Sequence, residues 1–262
     1  HPHALYATDV RFQMANRPSG NHQESKLYFS KKHGLYGFKE EASVLACGKC
    51  LHLSDHSPGS VHDLTIFKRE FNVHKSLTLK RGSDNEFDDE ESQKHWAILL
   101  DKGYQGAKEF CRAIHPTKKP AKSALSNEQK HINKDISSDR IIVENYFGRK
   151  VALWALMAHK YRWNEGDYDM FSEFCTALTN YHIHKHPLRV SVDSPDHQSW
   201  LNYNQRMKDI SDDIKSKRAK TQKRYATKRR IRLEQKYHSI NSPKKSKSYS
   251  DDESSTTSSP LI

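Results

Sequence analysis

The stretch that most restricts this chain is Ala97-Ile-Leu-Leu-Asp101-Lys-Gly-Tyr-Gln-Gly106, an apolar run that stops abruptly at a carboxylate and a glycine turn. An unbroken apolar run suits a strand covered on both faces, as in a largely parallel α/β sheet, better than a strand with one wet face. The carboxylate then falls at the C-terminal edge of the sheet, where α/β proteins place their ligands. Asp101 is therefore a candidate for chemistry, against the alternative of a turn aspartate ahead of Gly103.

Other segments fit around such a sheet. In Leu5–Phe12, β-formers flank Asp9, and a strand-interior Asp needs either a wet edge or a function. After the Arg17-Pro-Ser-Gly20 break, the segments 35–46 and 51–53 read as a β-hairpin turned at Gly48-Lys49. Cys47 and Cys50 form a single CxxC without a second ligand pair, which argues against a zinc or redox site. Ser60-x-x-Asp63 has the form of a capping box ahead of a helix carrying Leu64, Ile66, Phe67 and Phe71, which gives Asp63 a structural role. Residues 84–91 read as a solvated acidic loop, 107–112 as a short helix, and His115–Pro120 as a basic loop.

Ser138 is placed to cap a long helix reaching Tyr161, with Val143, Phe147, Trp154, Met157 and Tyr161 as its apolar stripe. Glu144, Gly148, Val151 and Ala155 share a face, and the small residues would let the helix bring Glu144 close to the strand ends that hold Asp9 and Asp101. An ion pair of Glu144 with Arg140 is the alternative. A helix over 168–181 is expected to complete the core through Met170, Phe171, Phe174, Leu178 and Tyr181. His182, His184 and His186 read as its polar exit rather than a metal clip.

Charge separates the chain into parts. The chain of 262 residues carries +12 overall, and residues 206–236 hold 13 Lys+Arg against 4 Asp+Glu, a net of +9. Such clustering points to a polyanionic partner. The expected organisation is a folded domain over 1–190, a linker over 191–205, a basic helical or disordered segment over 206–240, and a Ser/Thr-rich disordered tail over 241–262. Lys217, Arg218, Lys223, Arg224, Lys228, Arg229 and Arg230 are candidate phosphate contacts, and their paired clusters also suit a nuclear-import signal. Neutralisation of about six phosphates predicts a slope of log affinity against log salt near −5. Lys102, Lys118, Lys119 and Arg140 are further basic candidates for phosphate contact. No run reaches the ~18 apolar residues of a membrane span, and irregularly spaced cysteines fit a reducing compartment better than a disulfide scaffold. A strand pattern so close to His1, with no initiating Met, leads us to expect an upstream region.

The strand Asp9, Pro58-Gly-Ser-Val-His-Asp63, Leu99-Leu-Asp-Lys-Gly-Tyr-Gln-Gly106 and Arg140-Ile-Ile-Val-Glu-Asn-Tyr-Phe-Gly-Arg149 occur in an order that resembles the endonuclease domain of PIF/Harbinger-type transposases and their domesticated relatives, within the DDE superfamily. The resemblance spans roughly residues 4–190 and implies a ribonuclease-H-like fold, a mixed five-stranded sheet flanked by helices. It also implies a catalytic triad of Asp9, Asp101 and Glu144 holding two divalent ions, Mg2+ or Mn2+. Asp9 would bridge both ions, with Asp101 and Glu144 each holding one. Three carboxylates about 4 Å apart repel by roughly 4 kcal/mol per pair at an effective dielectric near 20, so such a cluster needs cations. Oxygen donors suit these hard ions. The expected activity is phosphodiester cleavage by in-line attack, in the nucleus, with DNA as substrate, a possible homo-oligomer, and a separate Myb-like DNA-binding protein as a possible partner. The competing expectation is a domesticated relative that binds DNA or acts as a scaffold without cutting.

Overall fold

The computed structural model describes residues 1, 3–82, 84, 94–119, 124–195 and 197–241, the last four without side-chain detail. The acidic stretch 84–91 thus lies almost wholly outside the described residues. The chain opens with β1 (Ala4–Met14) and α1 (His22–Leu27), then β2 (Phe29–Ser30), β3 (Leu35–Leu45), β4 (Cys50–Leu53) and β5 (Ser57–Pro58). The helices α2 (Asp63–Arg69) and α3 (Phe71–Thr78) precede β6 (Ala97–Leu99) and β7 (Ala113–Ile114). Four helices follow: α4 (Asn127–Leu153), α5 (Ala155–Ala158), α6 (Tyr168–Lys185) and α7 (His197–Asn241).

The sheet is mixed and seven-stranded, with the path β2-β3-β1-β6-β7 and with β4 and β5 also paired to β3, where five strands were expected. β1 is central, antiparallel to β3 and parallel to β6. Asp9 is therefore not a wet-edge residue. The apolar run at 97–100 is buried on both faces, as its composition requires. One side of the sheet packs Ala7, Ala42, Val44 and Leu99 against Ile142, Val143 and Tyr146 of α4. The other packs Tyr6, Ile98 and Leu100 with Phe67 of α2 and Tyr104. The expected 35–53 hairpin forms, with Gly48 at φ 88° in its turn.

Gly37 on β3 faces β1 where there is no room for a side chain. A Cβ there would lie 2.0 Å from the Gln13 carbonyl oxygen on β1. Because that atom belongs to the backbone, the sheet itself would have to open. We expect Gly37→Ala to destabilise by about 3 kcal/mol, the upper range for overpacking, measured by urea unfolding. A loss under 1 kcal/mol would show that the strands can part freely.

Several expectations about helices are corrected. α2 is capped by His62, whose Nδ1 accepts from Leu64 N, and no Ser60–Asp63 box forms. The short helix expected near 107–112 is a single 3-10 turn over Ala107–Glu109. α4 begins at Asn127, because Ser126 and Gln129 form a reciprocal capping box, and Ser138 is interior. Its first turns are mostly polar and exposed, so they give little apolar periodicity to read. The helix also stops at Leu153 instead of running to Tyr161.

Of the apolar stripe expected on α6, Phe171 packs against the core and Leu178 is half-buried, but the helix is turned away from the rest of it. Ser172, Cys175, Thr176, Thr179 and Ile183 are buried, while Met170, Phe174 and Tyr181 are 59%, 63% and 65% exposed. The buried face is polar because it serves charges beneath it: Ser172 accepts from Lys150 Nζ at 2.8 Å and donates to Glu40. Finally, α7 begins inside the stretch read as a linker and is one continuous helix.

Candidate active site

Register brings the two aspartates together. Ala7 of β1 pairs with Leu99 of β6 in parallel, so two residues further on Asp9 lies beside Asp101 at the end of β6. Asp9 accepts from the Val10 N–H at 2.8 Å. Arg140, buried on α4, bridges the pair: Nη2 donates to Asp9 Oδ2 at 3.2 Å and Nη1 to Asp101 Oδ1 at 3.3 Å. Its Nε is buried without an acceptor among the described residues. Burial pushes the Asp9 carboxyl up to about 6, and nearby Asp101 and Asp63 add to this. Arg140 and the Val10 N–H oppose the rise without cancelling it.

The Asp101 turn is fastened from below. Tyr104, fully buried, donates to Glu41 Oε2 at 3.0 Å, and Glu41 Oε1 lies 3.0 Å from His74 Nε2. His74 Nδ1 is in turn 2.9 Å from the Tyr6 hydroxyl. Sequence reading missed Glu41 and His74. The available signal was a pair of adjacent glutamates, Glu40 and Glu41, inside an otherwise strand-like segment. Asp63 approaches the turn from α2, and a Cβ on Gly103 would sit 3.3 Å from its Oδ2. Asp63 is held by Lys39 Nζ at 2.9 Å, so the residue expected to cap a helix stands at the margin of the site.

Glu144 is the acid that the structure keeps apart. It is exposed, one helical turn beyond Arg140, and makes no ion pair among the described residues. The alternative pairing with Arg140 does not form either, since Arg140 is engaged by the aspartates. The face carrying Gly148 meets α7, with Ser211 Oγ 3.4 Å from a Cβ built there. At Gly148 the small residue thus admits another helix and not the sheet. Among the described residues no three His, Cys, Asp or Glu side chains gather into a metal-holding group. Asp9 and Asp101 nevertheless suit a hard cation: both are oxygen donors, and they already share one positive partner.

The remaining candidates divide into two sets. Lys102 is exposed beside Asp101, and Lys118 and Lys119 are exposed just beyond β7, which is parallel to β6 and ends at the same sheet edge. Lys223, Arg224 and Lys228 are exposed on α7, while Lys217 and Arg230 are exposed in pairs with Asp213 and Glu234. Arg218 instead turns inward, donating from Nε to the Ala158 carbonyl at 2.8 Å and from Nη2 to that of Met157 at 2.6 Å. Arg229 lies over the Phe29 ring, 4.9 Å from its centroid. His182 is 2.7 Å from the Tyr203 hydroxyl, so the histidine run is partly a seam between α6 and α7.

A family model described as DDE superfamily endonuclease matches residues 5–180. A probable transposase for insertion sequence element IS702 from Microchaete diplosiphon is 26% identical over 180 residues, covering 68% of this chain and 57% of its own length. The chain therefore spans little more than half the length of that relative. No solved structure matches. The family match covers well over half of the chain, runs from β1 into α6, and includes both aspartates at the sheet edge: the chain belongs to the DDE superfamily of endonucleases.

Proposed function

We propose that this chain is a metal-dependent DNA endonuclease, a transposase or a transposase-derived nuclease. The observation that carries this reading is the juxtaposition of Asp9 on β1 and Asp101 just beyond the end of the parallel strand β6, bridged by a buried guanidinium. Asp9, Asp101 and Glu144 would hold Mg2+ or Mn2+, which would polarise the scissile phosphate and activate a water or a 3′-hydroxyl for in-line attack. Lys102, next to Asp101, and Lys118 and Lys119, in the loop beyond β7, are exposed and would orient the phosphate backbone. A nuclear site of action, supported by the paired basic clusters, and a separate Myb-like DNA-binding partner belong to the same reading.

The test is Mg2+- or Mn2+-dependent nicking of supercoiled plasmid. Binding of DNA without nicking under any condition would favour a second reading, a DNA-binding or scaffold protein. The observation on that side is that Arg140, and not a third carboxylate, completes the aspartate pair.

The proposed triad leads to two further expected outcomes. Glu144→Gln should reduce nicking at least about 100-fold, some 2.7 kcal/mol of barrier, whereas Asp63→Asn should stay within about tenfold because Asp63 is engaged by Lys39. The reverse order would make Asp63 the third ligand. Metal binding must also release any proton that Asp9 carries. The rise in Tm produced by Mn2+ should therefore fall away as pH drops through about 6, where Asp9 titrates. A rise independent of pH between 5 and 7 would place the ion elsewhere.

A further inference from the structure

The basic run on α7 has an unusual balance of forces. Between Ile214 and Leu233 there are ten Lys or Arg and no acid. Lys220, Arg224 and Lys228 follow one another at four-residue spacing, an arrangement that destabilises an isolated helix. Yet the helix is continuous, and the contacts along it explain how it is held. Met207 and Ser211 are buried, Arg218 binds the Met157 and Ala158 carbonyls, Gln222 Nε2 donates to the His33 carbonyl at 2.6 Å, and Arg229 covers Phe29. At 3.6 residues per turn these five positions fall within roughly 60° of one another, a single docked stripe along the body.

The same geometry fixes what lies outside. Lys217, Lys220, Arg224 and Lys228, at i, i+3, i+7 and i+11, form a stripe on the far side of the helix, about 16 Å long, and all four are exposed. Lys217 meets Asp213 at 2.6 Å, but both are exposed and such a pair is easily exchanged. The β2–β3 hairpin turn brings two more cations beside the docked face. Lys31 and Lys32 are exposed and adjoin His33, the residue to which Gln222 is tied. Across the hairpin, Phe29 packs on Tyr36 at 5.1 Å between centroids, and Arg17 stands 5.8 Å over Tyr36.

We propose that the outer stripe of α7 and the Lys31–Lys32 turn form one preformed surface for the phosphate backbone of duplex DNA, held in a fixed place on the catalytic body and not working as a loose polycationic tail. The choice of DNA among polyanions rests on the endonuclease reading above. The docked side chains hold the helix straight while bound phosphates neutralise cations that otherwise repel one another.

The test is fluorescence anisotropy of the whole chain with a 30-base-pair duplex in the absence of divalent metal, over a range of salt. The parent should show a slope of log affinity against log salt near −5. Alanine at Lys31 and Lys32 should flatten that slope by nearly 2, and alanine at Lys217, Lys220, Arg224 and Lys228 by 3 to 4, at about 0.9 per phosphate. The deciding variant is Phe29→Ala with Gln222→Ala, which removes no charge and loosens the docking. It should weaken binding about tenfold and make the Lys31–Lys32 substitution nearly silent. Gln222→Ala alone, with its Tm measured, serves as the milder form should the pair disturb the hairpin.

Unchanged affinity on undocking, or a silent Lys31–Lys32 substitution in the parent, overturns the proposal. Tighter binding of a single-stranded RNA of equal length overturns the assignment to DNA. Plasmid nicking measured in parallel separates the two readings. Binding as described without nicking defeats the endonuclease reading and leaves the surface standing, whereas nicking with binding untouched by the stripe substitutions overturns the surface alone.

Discussion

Asp101→Asn should abolish metal-dependent nicking of supercoiled plasmid, by at least about 10^3-fold, or some 4 kcal/mol of activation free energy. The substitution keeps the shape of the side chain and removes its charge, so the strand end and its turn stay in place. Tyr104 still anchors the turn through Glu41, and Arg140 retains Asp9 as a charged partner. Asp101 is 44% exposed on its side chain, so its pairing with Arg140 contributes little to stability once solvent screening is allowed for. A fall in activity with Tm and DNA binding preserved would therefore report chemistry and not folding. Retention of full metal-dependent nicking would remove Asp101 from the centre and, with it, the proposed triad.

The largest effect on stability is expected at Glu40. This residue is 1% exposed, and its Oε1 accepts from both Arg11 Nη1 and Lys150 Nζ, each at 3.1 Å. Oε2 accepts from the Tyr168 hydroxyl at 3.2 Å and from Ser172. Lys150 is fully buried and Arg11 nearly so. Glu40→Gln would thus leave two buried cations around a neutral group, a loss of about 3–5 kcal/mol. At 2–4 °C per kcal/mol for a domain of this size, Tm should fall by roughly 6–20 °C.

The pH dependence provides a second measure. Burial alone would raise the Glu40 carboxyl, but Lys150 and Arg11, with hydrogen bonds from Ser172 and Lys150, outweigh it and hold the group at about 2. A carboxylate depressed on folding stabilises above its unfolded value and loses that contribution as pH falls through the folded one. The difference between parent and Glu40→Gln should accordingly be full at pH 7 and shrink between about pH 5 and 2. A difference below 1 kcal/mol at pH 7 in urea unfolding would sink this account. Replacing all three charges by apolar residues of similar volume should recover much of the loss.

These two aspartate and glutamate sites differ in how far the sequence foretold them. Asp101 was legible because an apolar run ending in a charge and a glycine fits few positions in an α/β sheet. Asp9 was legible because an acid inside a strand needs a partner. Their adjacency was not, since it depends on the parallel register of Ala7 with Leu99, which aligns residues 92 positions apart in the chain. Glu40 carried only the signal of an acid beside Glu41 in a strand-like segment, and Lys150 none: their burial together depends on α4 and α6 both reaching the same carboxylate.

The helices show the same division. The long basic stretch declared a helical or disordered segment through composition alone, but nothing local reveals that Arg218, Gln222 and Arg229 find partners at residues 157–158, 33 and 29. In α6 the apolar stripe through Met170, Phe174 and Tyr181 pointed to the wrong face, because the buried face is chosen by the charge network that it satisfies and not by its hydrophobicity. Local sequence determined the elements, their turns, and which acids and cations are unusual for their surroundings, since those follow from backbone preference and burial cost within a few residues. Only the tertiary structure decided that Arg140 closes the aspartate pair, that Glu144 stands outside it, and that the basic helix is fastened to the body. Each of these is settled by which distant groups meet, and long-range pairing energies are not written in any one stretch of the chain.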